Sequence, residues 1–187
     1  MNALRLIAAS IAVSSLAWGC SPAAPEGAAP GPVASAAVTP VSIPAASPRA
    51  FVEDLYGQYR KDENFSPFTH PGKWFDPELL AAIKENDALT PEGEVGAIDG
   101  DPLCSCQDAS GMLARVAGIE QKTPTTATAR IDLWPDTPDQ RGLELALVLV
   151  NGQWRVHDAI EMGEAEGNHS FLTYVREANA AARAGKR

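Results

Sequence analysis

The chain has 187 residues, of which 45% are hydrophobic and 21% charged, with a formal net charge of −9. That length sets an expectation of one domain. The charge argues against nucleic acid as a partner, because such binding takes clustered Lys and Arg to displace condensed counterions. An acidic surface suits a cationic partner, or simply keeps a protein in solution.

The chain opens as a processing segment. Arg5 is the only charged residue before Cys20, and Leu6 to Gly19 is an apolar run interrupted by Ser10, Ser14 and Ser15. Such a run is short of the roughly 20 apolar residues that span a bilayer. A positive start, a short apolar core and a small residue at the cut describe a signal peptide, here residues 1–19. The end of the run, Leu16-Ala17-Trp18-Gly19-Cys20, resembles a bacterial lipobox, in which Cys20 becomes the lipidated first residue of the mature protein. Trp18 departs from the small residue usual at its position, and an ordinary cleaved leader with an incidental Cys is the alternative. Ser21 stands where the enteric retention pattern has Asp. The expected location is therefore the cell envelope, periplasmic side, with a lipid anchor in the outer membrane. Loss of Arg5 with the leader takes the formal charge from −9 to −10.

Residues 20–46 read as lipidated Cys20 followed by a disordered Ala/Pro-rich tether, with Glu26 its only charge. Such a composition buries too little surface to offset the entropy of ordering, and its prolines extend its reach. Residues 47–187 read as a single α+β domain.

Helix starts carry one device, a capping residue followed by Pro at the first helical position. Ser47-Pro48 opens the first helix, with Phe51, Val52, Leu55, Tyr56 and Tyr59 on one stripe. Asp76-Pro77 opens a second, with Leu79, Leu80 and Ile83 inward, and Thr90-Pro91 marks a third start that Gly93 and Gly96 weaken. After Asp108 the hydrophobic period changes to two. A strand is expected near Leu113 to Gln121. Ala127, Ala129, Ile131 and Leu133 form the inner face of the next, and Leu143, Leu145, Leu147 and Leu149 that of a third. Asn151-Gly152 turns the chain into a last strand, Gln153 to Glu161. A closing helix from about Ser170 carries Phe171, Tyr174, Val175 and Ala178 inward. Helices followed by a meander predict N-terminal helices on a curved antiparallel sheet, with a C-terminal helix.

Two places draw attention as binding candidates. Strict alternation from Trp154 and Val156 points Asp158 and Ile160 inward and leaves His157 outside. An inward carboxylate must be paired or hydrogen-bonded, so Asp158 is either an anchor for backbone N–H groups or a polar group at the base of a pocket. The second place is Asp99-Gly100-Asp101-Pro102-Leu103-Cys104-Ser105-Cys106-Gln107-Asp108. Its acidic spacing does not continue as a calcium loop, and two Cys alone do not complete a zinc tetrahedron. An oxidising compartment favours a Cys104–Cys106 disulfide that presents Asp101, Gln107 and Asp108. Free thiols and a metal or redox site are the alternatives. No Gly-x-Ser-x-Gly elbow is present, and neither a catalytic set, a metal nor a cofactor is expected.

FVxxLYxxY from Phe51 to Tyr59, DPLxxxQD from Asp101 to Asp108, and the W-x-V-x-D-x-I strand from Trp154 to Ile160 together resemble the bacterial domain of unknown function 3828 family of exported proteins and lipoproteins. The resemblance covers about Pro48 to Tyr174. It implies a cone-like, nuclear-transport-factor-two-like or cystatin-like fold, over which the last helix is an addition. Some members look like periplasmic immunity proteins, but a superfold of this kind does not assign a function. The leading expectation is a non-enzymatic, lipid-anchored module that binds a cationic secreted or periplasmic protein as an immunity or inhibitor protein. A small-ligand binder or hydrolase built around Asp158 and a structural envelope lipoprotein are the alternatives.

Overall fold

The structure is a computed structural model that describes residues 46–163 and 167–185. The leader, Cys20 and nearly all of the expected tether lie outside the described residues. The elements run α1 (Pro48–Lys61), α2 (Pro71–Trp74), α3 (Pro77–Leu89), β1 (Ala114–Thr123), β2 (Thr126–Leu133), β3 (Arg141–Val150), β4 (Gln153–Met162), β5 (His169–Ser170) and α4 (Phe171–Arg183). The fold is α+β. One open antiparallel sheet in the order β1-β2-β3-β4-β5 carries helices before and after it.

Local chemistry starts each long helix. The Ser47 hydroxyl accepts from Ala50 N–H at 3.1 Å, Asp76 Oδ1 from Leu79 N–H at 2.8 Å, and the Ser170 hydroxyl from Thr173 N–H at 3.0 Å. Each such cap contributes about 1 kcal/mol. In α1 and α3 a Pro takes the first helical position, where its missing N–H is no loss. Between β3 and β4, Asn151 (φ 51°) and Gly152 (φ 76°) are both left-handed, the geometry of a two-residue turn that matches strand twist.

The core lies between the helices and one face of the sheet. Val52, Leu55 and Tyr56 of α1, Leu79 of α3, Ile131, Leu145, Leu147 and Val156 of the sheet, and Val175 of α4 are all buried. α1 packs on β1 and β2, while α3 and α4 pack on each other and on β4. A buried amide joint also links α3 and α4. Asn86 Nδ2–H donates to Asn179 Oδ1 at 2.8 Å, and Asn179 Nδ2–H donates to the Ala82 carbonyl at 2.9 Å.

Four expectations need correction. Thr90-Pro91 starts no helix: Thr90 closes α3, its N–H and hydroxyl both bonded to the Asn86 carbonyl. A short α2 appears instead at His70-Pro71, with Pro again at the first position. On α4 the buried stripe is Leu172, Val175 and Asn179, while Tyr174 is 53% exposed and donates its hydroxyl to the Ala97 carbonyl. Finally, the alternation in β4 breaks. Leu147 pairs with Val156 but Ala146 pairs with Asp158, so His157 is an extra, bulged residue. Asp158 is buried as expected (9% exposed), but Ala159 (3% exposed) follows it into the interior and Ile160 is only half-buried.

The bulge has a tertiary cause. Both helix entrances dock on the outer edge of β4, one on each side of it. Asp76 N–H donates to the Val156 carbonyl at 2.9 Å, and β5 pairs Ser170 with Ile160. Two of the three residues between those docks, His157 and Asp158, anchor the two caps. His157 Nδ1 lies 3.0 Å from Asp76 Oδ2. Asp158 accepts from the Ser170 hydroxyl at 2.6 Å and from Leu172 N–H at 2.9 Å. Covering the β4 edge in this way also protects it from strand addition by other chains.

Candidate functional site

The segment from Asp99 to Asp108 folds back on itself. Asp101 N–H donates to the Cys106 carbonyl at 2.8 Å, and Cys106 N–H returns to the Asp101 carbonyl at 3.3 Å. Inside that bridge Cys104 and Cys106 are joined as a disulfide with a Cα separation of 5.2 Å, and Ser105 takes the left-handed conformation at φ 50°. A Cβ on Gly100 would meet the Cys106 carbonyl oxygen at 2.9 Å, so the close crossing requires glycine there. The loop is held from both sides. The Tyr56 hydroxyl donates to the Leu103 carbonyl at 2.9 Å from α1, and the Arg141 guanidinium, set over the Trp134 ring, donates to the Ser105 carbonyl at 2.8 Å from β3. Leu103 and Cys104 are fully buried.

This fixed backbone aims Asp101. The Tyr59 hydroxyl donates to Asp101 Oδ2 at 2.6 Å, and Leu103 N–H donates to Oδ1 at 2.8 Å. Burial pushes the Asp101 carboxyl up to about 6, against the pull of Tyr59 and of the Leu103 and Cys104 N–H groups. Burial also drives the Tyr59 phenol far above its ordinary range, with the Asp101 charge and hydrogen bond adding to the shift. At neutral pH the phenol therefore keeps its proton and Asp101 carries the charge.

Asp101 lines a cleft of about 520 Å³. Its apolar walls are Phe65, Phe68, Ile83 and Ile98, and Glu63, Asp87, Asp99 and Asp108 join Asp101 as carboxylates, with no Lys or Arg in the lining. Among the described residues none of these five carboxylates forms an ion pair, while Asp132, Glu78 and Glu85, outside the cleft, pair with arginines. Across the loop a second cleft, of about 680 Å³, shares Asp99, Asp101, Gln107 and Asp108 with the first. It adds Asp139, Glu161 and the engaged Arg141.

The structure thus brings Asp101, Gln107 and Asp108 together on the lining shared by the two clefts. Asp158 is placed elsewhere. It lines none of the larger cavities among the described residues, and its two oxygens are engaged by the first turn of α4. Sequence reasoning did not find Glu63, Phe65, Phe68 and Asp87, which the α1–α2 connection and α3 bring to the cleft. The only available sign was two phenylalanines in a polar, Pro-containing loop, Asn64 to His70.

A second cluster offers ligand-type atoms. Asp76, Glu78 and His157 lie within 4.8 Å of one another. Each is already engaged: Asp76 caps α3, His157 bonds Asp76, and Arg176 pairs with Glu78 and holds it below the usual carboxylate range. We read this cluster as the joint between α3 and β4. No helix among the described residues is long and apolar enough to cross a membrane.

No family model matches the chain, and no solved structure matches it. A curated relative does. The chain is 28% identical over 113 residues to the uncharacterized protein YqhG of Escherichia coli strain K12. The matched stretch covers 58% of this chain and 37% of that protein, so the chain spans well under half the length of the relative it matches. The likeness relates two chains without carrying an activity, a substrate or a partner from one to the other.

Proposed function

We propose that the protein is a lipid-anchored binding module of the cell envelope that captures a cationic secreted or periplasmic protein, in the manner of an immunity or inhibitor protein. The observation that carries this reading is the set of five unpaired carboxylates around one apolar-walled cleft. Like charges gathered without counter-charges raise one another's energy, and a cationic partner relieves that energy on binding. Apolar walls supply the desolvated surface that affinity needs beyond charge. The anchor belongs to the same proposal, supported by the Leu16 to Cys20 pattern and by a tether that would sweep the domain through the space beside the membrane. Kinship with the domain of unknown function 3828 family rests on the three motifs quoted above and is likewise part of the proposal.

A pull-down tests it. The lipid-anchored full chain, expressed with its neighbouring gene products, is used as bait in envelope extract. The expected result is a stoichiometric basic protein that elutes when salt is raised, since screening weakens exposed charge pairs. Recovery of no protein, or of an acidic one insensitive to salt, overturns the reading.

A further inference from the structure

The first cleft has a shape that a general acidic patch lacks. It is an apolar-walled recess with one carboxylate, Asp101, set into its lining by a rigid loop, and with Glu63, Asp87, Asp99 and Asp108 around it. Asp101 is half-buried, yet it has no cation partner among the described residues. A carboxylate removed from water without a counter-charge is an unfavourable arrangement unless something supplies the charge. Its two close hydrogen bonds, one to each oxygen, come from a phenol and the Leu103 amide, with the Cys104 N–H a further influence from the same loop. Each oxygen thus retains a lone pair, so the carboxylate can still accept a two-pronged donor. Phe65 and Phe68 offer ring surface to an apolar stem or a flat cation.

We infer that this recess is a socket for one arginine side chain of the partner, the guanidinium meeting Asp101 as a fork and the stem lying against Phe65 and Phe68. Arginine suits the geometry better than lysine. A planar fork matches a carboxylate bidentately and stacks on aromatic rings, whereas an ammonium is a strongly hydrated point charge. The inference rests on the capture reading above and narrows it to one residue type in one place.

Protonation gives the socket a pH dependence. The groups facing Asp101 are Tyr56 and Tyr59 from α1, both raised and protonated, and Asp99 and Asp108 from its own loop. Asp87 of α3 and Glu63 lie across the cleft, and Arg141 of β3 is held on the far side of the loop by the Ser105 carbonyl. With its carboxyl at about 6, Asp101 is charged at pH 7.5 and mostly protonated at pH 5. Arginine affinity should therefore fall about tenfold over that interval.

The test is a nuclear magnetic resonance titration of the full chain with N-acetyl-arginine amide, using the uncharged isostere N-acetyl-citrulline amide as comparison. Saturable shifts are expected at Phe65, Phe68, Ile98 and Asp101. Citrulline should bind at least tenfold more weakly, and Asp101→Asn should lose at least tenfold for arginine. Should that variant disturb the loop, the citrulline comparison and the pH dependence on the unaltered chain decide alone. Equal binding of the two amides, or no saturable shift with arginine, overturns the socket. So does a partner recovered by pull-down whose retention Asp101→Asn leaves unchanged, an outcome that leaves protein capture standing. Saturable, charge-dependent arginine binding in a chain that retrieves no partner supports the socket and removes the capture reading.

Discussion

Replacing Asp101 with Asn should change how stability depends on pH, and by a calculable amount. The Asp101 carboxyl rises from 3.8 in the unfolded chain to about 6 in the fold. A group raised in this way favours the fold fully below its unfolded value, and that advantage is lost as pH climbs through the folded value. Linkage from those two values gives a loss of about 1 kcal/mol by pH 4.5 and about 3 kcal/mol by pH 7.5, relative to strongly acid solution. Asparagine does not titrate. It also disturbs the hydrogen bonds from Tyr59 and Leu103, but that offset is the same at every pH. The stability of the parent minus that of Asp101→Asn should therefore move by about 2 kcal/mol against the parent between pH 4.5 and 7.5. Other carboxylates cancel in the difference. Urea unfolding followed by the fluorescence of Trp74, Trp134 and Trp154 at several pH values measures it directly. A flat difference would show that Asp101 titrates alike in the folded and unfolded chain, and the account of a charge held ready for a cation would be wrong.

Asp158→Ala removes the acceptor for Leu172 N–H and the Ser170 hydroxyl at the start of α4. A loss of about 3 kcal/mol in urea is expected, because hydrogen bonds to a charged, buried group are the strong kind; a change under about 1 kcal/mol would deny the anchor role. Asn179→Ala leaves the Asn86 amide without its acceptor inside the α3–α4 joint. It should cost about 2 kcal/mol, read from the shift in thermal midpoint, and an unchanged midpoint would mean water replaces the lost group. Joint replacement of Cys104 and Cys106 by Ser opens a loop that encloses Ser105 alone. The closure-entropy relation for so short a loop predicts no more than about 2 kcal/mol. A larger loss would make the bridge a main support of the domain rather than a local clamp.

What was legible in the sequence is what short range decides. Ser47-Pro48 and Asp76-Pro77 start helices because cap and proline act within one turn, and Asn151-Gly152 turns the chain because both residues accept positive φ. The inner faces of β2 and β3 obey period two without interruption. β4 does not, and nothing within its own ten residues announces the bulge at His157. Segments 81 residues earlier and 12 residues later hold the neighbouring groups His157 and Asp158, through Asp76 and Ser170. The α4 stripe misled for a related reason. Phe171 and Tyr174 fit a helical face as well as Leu172 and Val175 do. The residue that decides between them, Asn179, looks like a surface residue until its partner Asn86, 93 positions away, is in view.

The site divides along the same line. Asp101, Gln107 and Asp108 stand close in the chain, so a local reading singled them out, whereas Glu63, Phe65, Phe68 and Asp87 join them only through the packing of α1 and α3. A count of Asp, Glu, Lys and Arg yields one net figure, and an acidic total is compatible with carboxylates spread and paired over a surface. In the fold Arg115, Arg176 and Arg183 pair with carboxylates outside the cleft. Some acids elsewhere, such as Glu92 and Glu94, form no ion pair among the described residues, and at the cleft five such acids gather in one place. Where unpaired acids gather is settled by packing rather than composition, and under the capture proposal it is that local charge, not the total, that a partner would have to match.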